Sequence, residues 1–582
     1  MIKLFKEARL GAGKLVMLFT FLAIQVIGTL TLPRITARII NYGVMAGDQD
    51  YVVRMGMLML AVAVAAGVAS VLGTYVSAWV STLFSRNTRR RLFEHTQKLS
   101  YQDYRHFNTS SLITRATNDI EQLQSTFGML FDMLLPAPFV FAFGLFLTWR
   151  SDSFMAFILL IVSAIMGAVF AVVVVVIIPL FGKVQKGLDK INERVSQYVS
   201  GVRVIRAFNR TKLETARMDE SFGDFAKVNI KINRIFATMI PLVTLAMSLA
   251  SVAIIWFGGI RVENNYMTIG DITAVLEYGI LMLIYVVMAV FVSIYLPRAK
   301  VCAARIHEVL AYKPEISDGE SSIDDNQDLI LEFKDVNFRY SDAESPVLHN
   351  LSFVCKKGTT TAIIGGTGSG KSTVARMIPR LLDSSSGRVL LNGVDIKDIP
   401  QTKLREKIGF VPQKSFLFSG TIADNLRHGN PDATLEDIQQ AAKVARADDF
   451  IEEYPDKYDT KVVQGGRNFS GGQRQRLAIA RMLVKKPDIY VFDDSFSALD
   501  FKTDAALRLA LKDVTHESIV ITVAQRVTTI MDADQILVID EGKIVSCGTH
   551  RRLLDTCSVY QEIAKSQLSE SELALPGKKG GA

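Results

Sequence analysis

Six apolar stretches, near residues 15–40, 55–84, 127–149, 154–182, 235–261 and 270–297, fill most of the first 300 positions. Each approaches or exceeds the ~20 residues that a helix needs to cross a hydrocarbon core. In lipid, every backbone N–H and C=O must be paired internally, so stretches like these can only be helices. The first half of the chain is therefore a membrane protein. After about residue 328 the pattern changes to that of a water-soluble α/β domain.

Charge follows the same partition. Lys and Arg number 66 against 58 Asp and Glu, a formal charge of +8. Two long connections, about 85–126 and 183–234, hold much of the membrane half's excess, including Arg86, Arg89, Arg90 and Arg91 in the first and Lys183, Lys186, Lys190 and Arg194 in the second. Basic loops stay on the cytoplasmic side. That rule places the N-terminus, both long loops and the second half in the cytoplasm of a multi-pass cell-membrane protein. It accounts for the basic balance without nucleic acid as a partner. The four cysteines, Cys302, Cys355, Cys547 and Cys557, show no CxxC spacing, which argues against a zinc site or a disulfide framework. The first ten residues lack a cleavable signal and read as an amphipathic surface helix. Residues 571–582 read as a disordered tail or an expression scar.

Thr359–Ile364 is an apolar, β-branched run, read as a buried strand. Gly365-Gly366-Thr367-Gly368-Ser369-Gly370-Lys371-Ser372 follows, then a helical pattern from Thr373 to Leu382. A strand, a GxxxxGK[ST] loop and a helix form a phosphate cradle. Its glycines turn backbone N–H groups inward, the helix N-terminus adds partial positive charge, Lys371 adds a full one, and Ser372 can bind Mg²⁺. Residues 469–473 read Phe469-Ser470-Gly471-Gly472-Gln473, a second anion-suited helix start. Ile489–Asp493 reads as a buried strand that ends in a carboxylate.

In this order, behind six spans, these motifs resemble those of ATP-binding cassette (ABC) transporters of the exporter type. The resemblance covers nearly the whole chain. It implies a six-helix transmembrane domain at 1–320 and an α/β P-loop ATPase domain at 328–570 with a smaller helical lobe at about 415–485. It implies that Tyr340, 25 residues before the loop, stacks on adenine, and that Gly366–Thr373 hold the phosphates of ATP. Ser372, Gln413 (in Phe410-Val-Pro-Gln413) and Asp493 would hold Mg²⁺. Phe469, Ser470, Gly471, Gly472 and Gln473 would meet ATP bound by a second chain, and Ser497-Ala-Leu-Asp500 would cross the interface between the two. Breaks near His106–Ser111 and within Gly201–Arg210 resemble the coupling segments of that family.

Three positions depart from the family pattern. Val462-Val-Gln464-Gly-Gly466 replaces the usual Val-Gly-Glu-x-Gly. Asp494 stands where a catalytic Glu is expected, and Gln525 where a switch His is expected. Hydrolysis needs a group that aligns water with the γ-phosphate. Asp494 is one methylene shorter, and a neutral amide supplies no imidazolium charge. The chain's own pocket should bind Mg-ATP and hydrolyse it poorly. Its signature is intact and would serve a partner, so the chain should pair with a different half-transporter, as in bacterial heterodimeric multidrug exporters with one degenerate site. The implied substrates are amphipathic drugs or other lipophilic compounds. A lipid or peptide exporter, or an ATP-gated channel or regulatory subunit, is the alternative. Glu277, inside the sixth stretch, would cost ~2.5–3.5 kcal/mol at the bilayer centre and should face protein or water. It is a candidate contact for cationic substrates or a structural hydrogen-bonding group. Asp132, early in the third stretch, raises the same question.

Overall fold

A computed structural model describes residues 2–8, 10–323, 328–341 and 343–568. The 571–582 tail lies outside them. The chain forms two units, Met1–Gln97 with Thr109–Tyr312 and Lys98–Asn108 with Lys313–Ala582.

In the first unit, a short helix α1 (Ile2–Glu7) precedes α2 (Ala12–Arg38) and α3 (Gln49–Thr96). In the second unit lies α4 (Tyr101–Phe107). The first unit resumes with α5 (Thr109–Thr114), α6 (Ile120–Met129), α7 (Pro136–Ser151), α8 (Ser153–Ala207), α9 (Thr211–Glu263) and α10 (Ile269–Ala311). Among the described residues, six helical segments are long and apolar enough to cross a membrane: Ala12–Val44, Gln49–Thr96, Thr109–Ser151, Ser153–Ala207, Thr211–Glu263 and Ile269–Ala311. The third contains two π-helical turns, Arg115–Asp119 and Leu130–Leu134, and Asp132 sits in the second. Helix α8 continues through Gly201 to Ala207, so the break expected within 201–210 falls only at its end. There Asn209 takes a left-handed φ of 52°.

Capping residues set where these helices start. Thr268 and Asp271 form a capping box at α10. At Gly270 a Cβ would lie 2.3 Å from the Ala37 carbonyl oxygen, so only glycine lets α10 approach the end of α2 this closely. The α10 core includes Tyr278, whose hydroxyl donates to the Leu30 carbonyl at 3.1 Å. Asp152 caps α8 by accepting from the Met155 N–H at 3.0 Å, and it also receives Arg261 Nε from α9 at 2.9 Å. The Asp152 side chain is 3% exposed. Asp152→Ala removes the cap and strands a half-buried guanidinium. We expect a loss of about 2–3 kcal/mol, read as a lower melting temperature of the detergent-purified protein, with Asp152→Asn losing less because an amide oxygen still caps.

The second unit is built on two larger sheets. Strands β1 (Ile330–Phe338), β2 (Leu348–Lys356), β3 (Thr360–Gly365), β4 (Ser386–Leu391), β5 (Val394–Asp395), β6 (Ile408–Val411), β7 (Gly420–Thr421), β8 (Lys461–Val462), β9 (Ile489–Asp493), β10 (Ile519–Val523), β11 (Gln535–Asp540) and β12 (Lys543–Gly548) appear in chain order. An antiparallel sheet runs β2-β1-β4-β5. A six-stranded sheet runs β12-β11-β3-β10-β9-β6 and is parallel except at β12. Every residue of β9 and β10 is buried, as expected of parallel strands covered on both faces. The helices are α11 (Lys371–Met377), α12 (Gln401–Lys407), α13 (Ile422–Arg427), α14 (Leu435–Val444), α15 (Asp448–Ile451), α16 (Gly471–Lys485), α17 (Phe501–Thr515), α18 (Val527–Ile530), α19 (His550–Thr556) and α20 (Ser558–Gln567). Helix α11 begins at Lys371 and stops at Met377, short of the expected Leu382. Pro379 cannot donate to the ladder, and Arg380 turns to φ 52°. Helices α13 to α16 share an apolar core that includes Phe450, Phe469 and Leu477.

Helix α4 belongs to this unit. Ser100 and Asp103 cap it reciprocally, and Asp103 Oδ2 also accepts from the Glu315 N–H at 3.3 Å. The Arg376 guanidinium of α11 lies 5.5 Å from the Tyr101 ring centre. A loop segment that begins among the membrane spans is thus held against the ATPase core.

Candidate nucleotide site

Strands β3, β9 and β10 lie side by side and parallel. Val523 pairs with both Ile363 and Asp493, so their C-terminal ends are level. Ligands bind at such strand ends in open α/β sheets. Here the level ends bring together the loop after β3, Asp493 and Asp494 after β9, and Gln525 after β10.

The loop is shaped for a phosphate. Gly370 caps α11 at φ 97°, a conformation closed to most side chains. A Cβ built at Gly366 or Gly368 meets nothing within 4 Å, so the cradle is open. Lys371 Nζ donates to the carbonyls of Gly365 (2.9 Å) and Gly366 (2.7 Å) and lies 3.5 Å from Ser369 Oγ. Burial holds the Lys371 ammonium below the usual lysine range, and Asp494 and Asp493 partly restore it. Thr367 is exposed, and Thr373 Oγ1 lies 3.1 Å from the Tyr340 hydroxyl. Arg105, from α4, places its guanidinium 5.9 Å from the Tyr340 ring centre.

Ser372 Oγ donates to Asp493 Oδ1 at 2.6 Å, and Asp493 Oδ2 is buried with no hydrogen-bond partner among the described residues. An orphaned carboxylate oxygen beside a serine hydroxyl fits a divalent cation. Burial raises the Asp493 carboxyl above its ordinary range, opposed by the Ser372 hydrogen bond and by Arg376.

Asp494 carries the least expected geometry. Its backbone is left-handed at φ 51°. One carboxylate oxygen, Oδ2, accepts from Gln413 Nε2 at 3.0 Å and from Gln525 Nε2 at 2.8 Å. Two neutral amides, one from each flanking loop, thus converge on it. Burial raises the Asp494 carboxyl, and the Gln413 hydrogen bond opposes this. Gln567 of α20 holds the Gln525 carbonyl at 2.8 Å, and Arg526 reaches the carbonyls of Ser497 (3.3 Å) and Leu499 (3.5 Å). Sequence reading missed Arg105, Gln567 and Arg526. Of these, only Arg526, next to Gln525, had a positional clue.

The 469–473 motif stands at the start of α16. Ser470 caps α16: its Oγ accepts from the Gln473 N–H at 3.2 Å, and Gln473 Oε1 accepts from the Ser470 N–H at 2.9 Å. A Cβ at Gly471 would meet nothing within 4 Å, whereas one at Gly472 would lie 3.2 Å from the Ala498 carbonyl. The Phe469 ring is buried against Phe450 and Tyr454, so the expected contact of Phe469 with ATP is not one its side chain offers. Gln473 serves the helix cap. Ser470 and the first N–H groups of α16 are what the motif presents. Glu277 is half-buried in α10, a little over two turns from its start, and makes no hydrogen bond or ion pair among the described residues.

Six apolar spans in one unit and a P-loop sheet in the other define a membrane-embedded P-loop ATPase. Family models agree: residues 15–297 match the ABC transporter transmembrane region, and 348–497 match ABC transporter. The chain is similar to a putative multidrug export ATP-binding/permease protein of Bacillus subtilis (32% identity over 84% of each chain). It is similar to an ATP-dependent lipid A-core flippase of Haemophilus influenzae (30% identity over 98% of this chain and 96% of the relative). The chain is similar to a solved structure of a bacterial Atm1-family ABC exporter with ATP bound, with a TM-score of 0.81 at 25% identity, covering 96% of this chain and 98% of that one. The chain belongs to the ABC transporter family, as an exporter-type half-transporter that fuses a transmembrane domain to an ATPase domain.

Proposed function

We propose that this chain is the degenerate-site subunit of a heterodimeric exporter in the cytoplasmic membrane, moving amphipathic drugs or other lipophilic compounds outward. Its ATPase domain faces the cytoplasm. The observation that carries the reading is Asp494, too short for the catalytic place and held on one oxygen by Gln413 and Gln525. In this pocket Gly366–Thr373 hold the phosphates and Tyr340 the base. Ser372, Asp493 and Gln413 hold Mg²⁺, which would neutralise phosphate charge. Asp494 is drawn toward the two amides rather than toward an attacking water. Ser470, Gly471 and Gly472 complete a second site whose phosphate loop belongs to a different half-transporter, and that site does most of the hydrolysis.

The test is turnover without a partner. Purified alone, the chain should hydrolyse ATP at least about a hundredfold more slowly than the assembled complex, the scale of a misaligned reacting group. Brisk hydrolysis by the lone chain would sink the reading.

The similarity to lipid A-core flippases over nearly the whole chain favours a second reading, a lipid exporter. Transport assays in liposomes with a fluorescent lipid and a cationic dye decide between the two. Glu277 enters the same assay as a proposed cavity contact, since an intramembrane carboxylate without a protein partner needs a cation or water. Glu277→Gln should lower transport of cationic compounds about five- to tenfold, leave neutral ones near wild type, and keep basal ATPase. Equal loss for both classes would return Glu277 to a structural role.

A further inference from the structure

A groove of about 530 Å³ runs between α8 and α9 of the membrane unit. This size lies within the ~300–1,000 Å³ range of sites for small organic ligands. Its α8 wall is a single apolar stripe that includes Met166, Phe170 and Val173, spaced as one helix face. Its α9 wall includes Leu242 and Leu249, with Pro241, just before Leu242 inside the helix, freeing a backbone carbonyl one turn back. Leu283 of α10 packs against Met166 and Phe170 behind this stripe. Among the described residues no carboxylate lines the groove, but Lys231 and Arg234 do. Both are exposed, and among the described residues neither side chain makes an ion pair or a hydrogen bond.

The position of the two cations is what gives the groove a polarity. Helix α9 ends at Glu263. At 1.5 Å per residue, Leu249 lies about 21 Å from that end, Leu242 about 31 Å, Arg234 about 43 Å and Lys231 about 48 Å. A bilayer has ~30 Å of hydrocarbon and ~40–45 Å including headgroups. The apolar walls therefore sit in the half of the hydrocarbon further from Glu263. Arg234 sits at the headgroup level of that same leaflet, and Lys231 at its outer margin.

We propose that this groove binds an anionic glycerophospholipid of the cytoplasmic leaflet, one acyl chain lying along the α8 stripe and the phosphate between Lys231 and Arg234. The leaflet assignment rests on the reading that both long loops are cytoplasmic. Binding itself is independent of what the exporter carries. Apolar walls alone would take any lipid. The paired, unopposed cations at headgroup depth select negative charge, and basic residues at a membrane surface favour anionic lipid.

The experiment uses the transporter in the assembly it forms, reconstituted in nanodiscs with diazirine-tailed phosphatidylglycerol or the matching phosphatidylcholine. After photolysis, labelled peptides are mapped by mass spectrometry. The expected result is label from phosphatidylglycerol on the peptides holding 165–173 and 238–249, about tenfold above phosphatidylcholine. In a Lys231→Gln, Arg234→Gln variant that excess should disappear while phosphatidylcholine labelling is unchanged. Leu242→Trp, which fills the groove, should block both lipids and checks that the label reports the groove. Equal labelling by the two lipids in the wild type overturns the proposal, as does an excess that survives loss of both charges. Absence of label from both helices, together with a photocrosslink to a second chain from a benzophenone-maleimide attached at Val169→Cys, also overturns it, because a second chain then covers the groove.

Discussion

Hydrolysis at this chain's own pocket should rise by roughly a hundredfold when Asp494→Glu is combined with Gln525→His, the size of effect expected when a misplaced reacting group is brought into line. At present Gln413 and Gln525 both donate to Asp494 Oδ2, at 3.0 and 2.8 Å. The short side chain is satisfied by protein and has no reach to spare. One more methylene carries the carboxylate beyond those donors. A histidine at 525 replaces a neutral amide with a group that can carry positive charge beside the γ-phosphate. The assay is the proposed heterodimer with the partner's catalytic glutamate removed, so that residual turnover belongs to this site. The backbone at Asp494 is left-handed (φ 51°), which Asp tolerates better than Glu. The double variant should therefore melt slightly lower while turning over faster. That opposition separates improved chemistry from improved folding. No gain in turnover would place the defect in the signature the partner supplies.

Much of this pocket was legible in the chain, for a physical reason. A phosphate loop needs its strand, its glycines and its lysine within a few residues of one another, so Gly365–Ser372 announces itself locally. The buried strand before Asp493 and the helix start at Ser470 do the same. The six spans were legible because lipid leaves an apolar chain only one way to satisfy its backbone. What the sequence did not show are contacts between distant residues. Gln413 and Asp494 are 81 positions apart, and nothing in their local patterns says that they meet. Helix α4 reads as part of a cytoplasmic loop between spans. The resemblance implies that such a coupling segment touches the ATPase, but the particular contacts, Asp103 to Glu315 and Tyr101 to Arg376, depend on tertiary packing. The packing of Phe469 was hidden for a related reason: an aromatic ring just before a helix cap is well placed to anchor the lobe core, and there it packs.

The signature helix gives the sharpest contrast between this chain's two halves of chemistry. Gly471 is the first residue of α16, with Ser470 as its cap, and a Cβ there meets no atom within 4 Å. Gly471→Asp should therefore fold without strain, and an acidic residue in the first turn of a helix is mildly stabilising. Its carboxylate would occupy the space in front of the α16 N–H groups, where a phosphate from the partner's ATP would be received. We expect ATPase activity of the complex to fall at least about a hundredfold, comparable to losing a donor aimed at developing charge, with the melting temperature unchanged or raised. Asp494→Asn in the same complex should change turnover by less than about threefold, because a carboxylate already held by two amides is not the working base. Measured side by side, the two variants assign the hydrolytic work. If Asp494→Asn proves the more damaging, the chain's own pocket is the active one and the assignment of roles is reversed.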